Sequence, residues 1–289
     1  MTVTAAERQL ILTQVDRLAT ADLEALWRLA EDKASNDFAA YMIEAFPELA
    51  TEYASLAADT AAAWYDESPS TTGYVATPGP LPEVEALTTS AQWALGGDGL
   101  VGLDRLKGTL QRSTFGAARD TITINADSEG SKWARHASAS ACAFCAMMAS
   151  RGAVYTSEHA AAGVVGRRAE ITLGDRRAIA AGRMTREQAY KNREQYASAR
   201  AAAKAGKAVG DQKERRTRGV RALGKKYHDH CHCIAVEVRP GQTYEPPDYV
   251  GKWEDAYVKA SREAPKVGKY GALDPKAILS LMRTDLGAR

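Results

Sequence analysis

Apolar positions in the first 66 residues recur at intervals of three and four. Leu10, Ile11, Val15 and Leu18 form one stripe, and Leu23, Leu26, Trp27 and Ala30 form another. This is the spacing of amphipathic helices, and Asp22 suits the N-cap of the second. A third helix is predicted over 37–46. Pro47 fits the first turn of a fourth, which carries Leu49, Tyr53, Leu56 and Ala63. Such stripes predict the core of a helical bundle.

The pattern breaks at "DESPSTTGYVATPGPLPEVE", where four of the chain's ten prolines lie between residues 69 and 82. A linker or extended arm is expected there. Helical spacing resumes at Val84, Leu87, Ala91 and Leu95, stops at "GGDG" (96–99), and returns from Leu100 to about Ala118. "TITIN" (121–125) alternates and predicts a short strand, as does "IAVEV" (234–238). Near the end, a Pro turn precedes an amphipathic stretch with Trp253, Tyr257 and Val258. The expected fold is α+β and mainly helical. A helical docking module occupies 1–66 and a Pro-rich linker 67–82. A domain over 83–289 has a small α+β part closed by cysteine and histidine, with a basic helical insertion at 167–222.

Composition fits a soluble globular chain, with 45% hydrophobic and 26% charged residues. No window approaches 18 consecutive apolar residues, so no membrane partner is expected. The start lacks a basic n-region and reads as an amphipathic helix, not a signal peptide. A reducing cytoplasm is the expected setting, where structural disulfides are rare. The net charge of +2 conceals a division: residues 167–226 hold 18 Lys/Arg and 6 Asp/Glu, against 20 and 30 in the remainder. Within the basic stretch, Thr185 and Gln188 have capping-box spacing before a run of helix formers. It has few large apolar residues, so its helices are expected to project. Arg193, Arg200, Lys204, Lys213, Arg215, Arg216 and Arg218 would then contact DNA or another acidic surface.

The candidate chemistry is concentrated at two points. "YHDHCHC" (227–233) holds three of the five histidines and two of the four cysteines; Cys142 and Cys145 lie in "ACAFCAMMAS". Three chemistries suit such clustering: a metal clamp, a pair of disulfides, or a Cys/His catalytic site. A Cys-x-x-Cys turn lets two thiolates converge on one ion. A Cys-x-Cys pair in extended chain places both sulfurs on one face. Cys142, Cys145, Cys231 and Cys233 would together make a four-thiolate structural zinc site. The same period turns His230 and His232 away, which leaves His228 as the best substitute ligand. His136 and His159 are single residues and read as surface or capping histidines. No Gly-x-Ser-x-Gly, His-Glu-x-x-His or phosphate-loop motif is present, and no catalytic residue is assigned.

"CAFCAMMASRGAVYT", then "KYHDHCHCIAVEV" and "WEDAYVKA", resembles the phage Mu F-like head morphogenesis proteins, the minor capsid proteins of actinobacterial tailed phages above all. Cys142 and Cys145 match the family's first element, and His228, Cys231 and Cys233 match its second. Trp133 and Arg135 fit the short strand before the first cysteine. Asp229, His230 and His232 stand where the family more often has Pro-Asn and Arg. The resemblance implies a low-copy structural component of the capsid interior, added near the portal during prohead assembly in the host cytoplasm. Its implied partners are the portal protein and the major capsid or scaffold protein. The alternative it carries is a capsid maturation protease acting on scaffold or capsid protein.

Overall fold

The computed structural model describes residues 3–32, 35–97, 99–150, 183, 231–267 and 272–288. The chain divides into one unit of 1–161 with 224–289 and another of 162–223. All the elements below belong to the first. The second, with the basic stretch 167–222 and Arg193, Arg200, Lys204, Lys213, Arg215, Arg216 and Arg218, lies outside the described residues apart from Arg183.

Helix α1 (Ala5–Glu31) begins at a capping box: the Thr4 hydroxyl accepts from the Glu7 N–H, and the Glu7 carboxylate accepts from the Thr4 N–H at 2.8 Å. It continues without a break through Asp22, so the two helices expected here are one. Its buried face is Arg8, Leu12, Asp16, Ala19, Leu23, Trp27 and Ala30, spaced by fours and threes. The expected first stripe lies elsewhere, since Leu10 and Leu18 are 55% and 62% exposed. Leu12 stands two positions and about 200° round the helix from Leu10. The face turned inward is chosen by what Arg8 and Gln9 bind, described below.

Helix α2 (Ser35–Glu67) runs through Pro47 instead of restarting there. Proline cannot supply the N–H that would bond to the carbonyl of Ile43, but packing on both sides carries the helix across the gap. α2, α3 (Val84–Leu95) and α4 (Gly99–Glu129) complete a bundle with α1. One core joins Leu23 and Trp27 of α1, Met42 and Phe46 of α2, Leu87 and Ala91 of α3, and Leu106 and Leu110 of α4. Small residues set the close approaches. Ala54 and Ala58 of α2 meet Ala117 of α4, and a Cβ at Gly102 would lie 3.0 Å from the Ala94 carbonyl and 3.3 Å from the Trp27 ring. The helices of 1–66 therefore share their core with those that follow the Pro-rich stretch.

That stretch lies against α4 as an arm. The Gly79 N–H donates to the Thr121 hydroxyl at 2.8 Å. Asn125 accepts from the Thr77 N–H and the Tyr74 hydroxyl and returns a bond to the Thr77 carbonyl. Thr121 and Asn125 are one helical turn apart and so face the arm together. This is why "TITIN", expected as a strand, is the last part of α4. A Cβ at Gly79 would meet the Thr121 backbone at 2.8 Å, so the close approach needs glycine.

After α4 the chain turns at Gly130, φ 75°, into β1 (Lys132–His136), which pairs antiparallel with β2 (Ile234–Val238), Lys132 opposite Val238 and His136 opposite Ile234. β2 stands where its alternation placed it, and β1 where the family resemblance placed Trp133 and Arg135. Helix α5 (Ala143–Ala149) follows β1. After β2 come α6 (Tyr249–Glu263), a second two-stranded pair of β3 (Lys266–Val267) and β4 (Ala272–Leu273), and α7 (Pro275–Leu286). α6 buries Val250, Trp253, Ala256 and Ala260; of the expected apolar positions Trp253 is in this face, Tyr257 is half-buried and Val258 is exposed. Asp274 caps α7 before Pro275, and Gly287 ends it with φ 59°. The seven helices and small antiparallel sheets among the described residues make the fold α+β and mainly helical.

Candidate metal centre

Four reduced cysteines occupy two elements. Cys142 is the N-cap of α5, where its Sγ accepts from the Cys145 N–H at 3.5 Å, and α5 presents Cys145 from its first turn. Cys231 and Cys233 precede β2 in extended chain, so both side chains point the same way. The Sγ atoms of Cys145 and Cys231 are 3.4 Å apart. Those of Cys145, Cys231 and Cys233 all lie within 4.8 Å of one another, and these residues are 1%, 2% and 4% exposed. Cys142 is half-buried. Ala137, Ala146, Val250 and Trp253 enclose the sulfurs, while the Tyr249 hydroxyl donates to the Ala137 carbonyl at 2.8 Å.

The Cys-His-Cys segment is held by its backbone. Arg119 of α4 donates from Nη2 to the Cys231 carbonyl at 2.5 Å and from Nε to the Cys233 carbonyl at 2.7 Å. Gln111, two turns earlier on α4, donates to the Cys231 carbonyl at 2.7 Å. Gln9 of α1 donates to the His232 carbonyl at 2.8 Å. Three consecutive carbonyls are thus bonded by side chains of the bundle, which fixes where the sulfurs of 231 and 233 can point. Two buried arginines lie close: Arg119, and Arg135 of β1, whose Nη1 is 4.0 Å from the Cys145 sulfur.

The thiols share their protons unequally. Hydrogen bonds from Cys145 and Cys233 pull Cys231 far below the ordinary thiol range, with the charge of Arg119 adding to them. Cys145 is pushed far up by its bonds with Cys142, Cys231 and Cys233 and by burial. At Cys233 the bond with Cys145 lowers the value, but Cys231 and burial outweigh it, to about 12. Three convergent, buried, soft donors with a fourth one turn away are the donor set of a thiolate-binding metal. Cys145, Cys231 and Cys233 could hold such an ion, and its binding would release the remaining protons.

The histidines divide as their alternation implies. His232 points away from the sulfurs, its Nε2 3.4 Å from Asp16 and its ring edge-on to Phe115. His136, expected at a surface or cap, is instead buried at the end of β1. Its Nδ1 is 3.4 Å from the Tyr244 hydroxyl, and burial holds its pKa below the usual imidazole value. His228, His230 and His159 lie outside the described residues. Gln9, Gln111 and Arg119 were not singled out from sequence. They sit in ordinary helical runs, and nothing local marks them as donors to a segment more than a hundred residues away.

No helix among the described residues is long and apolar enough to cross a membrane. No curated protein and no solved structure matches the chain. A family model described as VG15 protein matches residues 2–171 and 185–260, which takes in the helical bundle as well as both cysteine segments. The chain belongs to the VG15 protein family, a phage-associated family.

Proposed function

We propose that this chain is a structural minor head protein of a tailed phage, built into the capsid interior beside the portal during prohead assembly. Membership of a phage-associated family supports the phage setting. The burial of Cys145, Cys231 and Cys233 supports a structural role for the cluster. A nucleophilic thiol must reach a substrate, whereas a structural metal is best enclosed. The ion is zinc, held by Cys145, Cys231 and Cys233 with Cys142 or His228 as fourth ligand. It ties together the two segments that bracket the basic stretch in sequence. Zinc supplies closure here and no reaction step.

In this reading the portal and the major capsid or scaffold protein are the partners. Arg193, Arg200, Lys204, Lys213, Arg215, Arg216 and Arg218 meet the packaged genome without reading its sequence. The test is mass spectrometry of purified proheads and virions, which should find this chain in both at low copy number. Its absence from both overturns the assignment.

A further inference from the structure

Charge on the bundle is unevenly placed. Helix α2 carries Asp37, Glu44, Glu48, Glu52, Asp59, Asp66 and Glu67, and no Lys or Arg in its 33 residues. Residues of α1, α2 and α3 line a groove of about 1080 Å³. Its apolar lining includes Leu26 and Leu29 of α1, Ile43 and Leu49 of α2, and Val84 of α3; its charged lining is Asp22, Glu44, Glu48 and Glu52, with no cation among the lining residues. Leu29 is 59% and Val84 60% exposed, so large apolar side chains stand in water beside carboxylates that repel one another. Neither feature stabilises the isolated chain. Both suit a partner that is apolar on one side and cationic along its edges.

The spacing of the carboxylates indicates the shape of that partner. Glu44, Glu48 and Glu52 follow at intervals of four, one per helical turn, over about 12 Å of helix rise. A second helix laid along α2 would bring lysines or arginines of the same spacing opposite them. Pro47 also lines the groove and leaves the Ile43 carbonyl without its usual donor four residues on, so that carbonyl can accept from a cationic side chain.

We propose that this groove docks a basic amphipathic helix of a partner protein, its apolar face on Leu26, Leu29 and Leu49 and its cations on Glu44, Glu48 and Glu52. The surface is separate from the thiol cluster, and its occupancy does not depend on a role in the phage head.

The test uses the full chain and three labelled 15-residue peptides, with binding read by fluorescence anisotropy at low and moderate salt. The first peptide has leucines at helical spacing flanked by lysines. The second keeps the leucines and replaces lysine by glutamate, and the third keeps the lysines and replaces leucine by serine. The first should bind at least about tenfold more tightly than either other peptide, and more weakly as salt rises. The double variant Glu44→Lys/Glu48→Lys should lose about tenfold in affinity, and so should Leu29→Ser. All three changes are at exposed positions. The charge-matched control Glu254→Lys/Asp255→Lys, at exposed positions of α6, should change it less than about twofold. Equal loss in the groove and control variants, equal binding of the serine peptide, or no binding at low salt each overturns the proposal. Light scattering supplies a further arm: a wild-type dimer that Glu44→Lys/Glu48→Lys converts to monomer would make the occupant a second copy of this chain, and would equally overturn it.

Discussion

Arg8 in the first helix and Glu237 in the second strand, 229 positions apart in sequence, form a buried ion pair in which the arginine Nη1 donates to both carboxylate oxygens, at 2.8 and 2.9 Å. Their side chains are 5% and 1% exposed. The Ser68 hydroxyl also donates to Glu237, and Arg8 donates to the Trp64 carbonyl. One pair therefore joins α1, the end of α2 and the sheet.

Removing either partner strands the other charge in a site with little access to water, which costs about 3–5 kcal/mol in such pairs. Arg8→Met or Glu237→Met alone should lower the unfolding free energy, extrapolated to water from urea titrations, by an amount in that range. The double variant should be less destabilised than the sum of the two, because it leaves no orphan charge. Equal and additive losses would show that the pair contributes through shape alone.

The thiol cluster predicts about one zinc per chain, by elemental analysis of protein purified without a histidine tag. Cys231→Ser should lower the melting temperature far more than His232→Ala, since His232 faces Asp16 and not the sulfurs. Chelation should destabilise the wild type by several kcal/mol, less than the roughly 10–16 kcal/mol that structural zinc supplies in small fingers. Metal-free protein with four titratable thiols in the folded state would rule the clamp out.

Glu129 should make stability fall in acid. Burial works to raise its pKa, but hydrogen bonds from Arg239, Ser131, Thr72 and Tyr65 outweigh this and hold it well below the usual carboxylate range. A group depressed in the folded state contributes stability that is full above its unfolded value, about 4.3 for glutamate, and is lost as pH falls from there toward the folded value. The stability gap between wild type and Glu129→Gln, measured by urea unfolding, should be largest near pH 6 and shrink toward pH 3. A gap constant over that range would remove Glu129 as the cause.

Asn125 should govern the arm. It is fully buried and bonds the arm through Tyr74 and Thr77. Asn125→Leu keeps the number and branching of side-chain heavy atoms but leaves the Thr77 N–H and carbonyl unpaired, at a cost of about 1–3 kcal/mol. Hydrogen exchange should quicken at residues 74–79 before it changes in the α2 core. Unchanged protection of the Thr77 amide would mean that the arm is held by other contacts.

Much was legible from local pattern alone. The strand around Trp133 follows from the family resemblance. The bundle's helical content, the Pro-rich break, the strand at "IAVEV" and the helix around Trp253 follow from side-chain period, which is set within a few residues. So does the pairing of Cys231 with Cys233 and the turning away of His232, because alternation in extended chain needs no knowledge of the rest of the fold. Tertiary structure decided what period leaves open. A helix with two apolar stripes has two faces that could be covered. In α1 the covered face is the one whose Arg8 finds Glu237 and whose Gln9 finds the His232 carbonyl, so Leu10 and Leu18 remain in water. "TITIN" alternates as a strand would, yet it is helical because Thr121 and Asn125, one turn apart, satisfy an arm some fifty residues upstream. The arginine and glutamines that position the thiol segment carry no local signal, since a buried donor is defined by the distant carbonyl it meets. Period is a property of neighbours in sequence; burial and polar satisfaction are properties of neighbours in space, and only the folded chain brings those together.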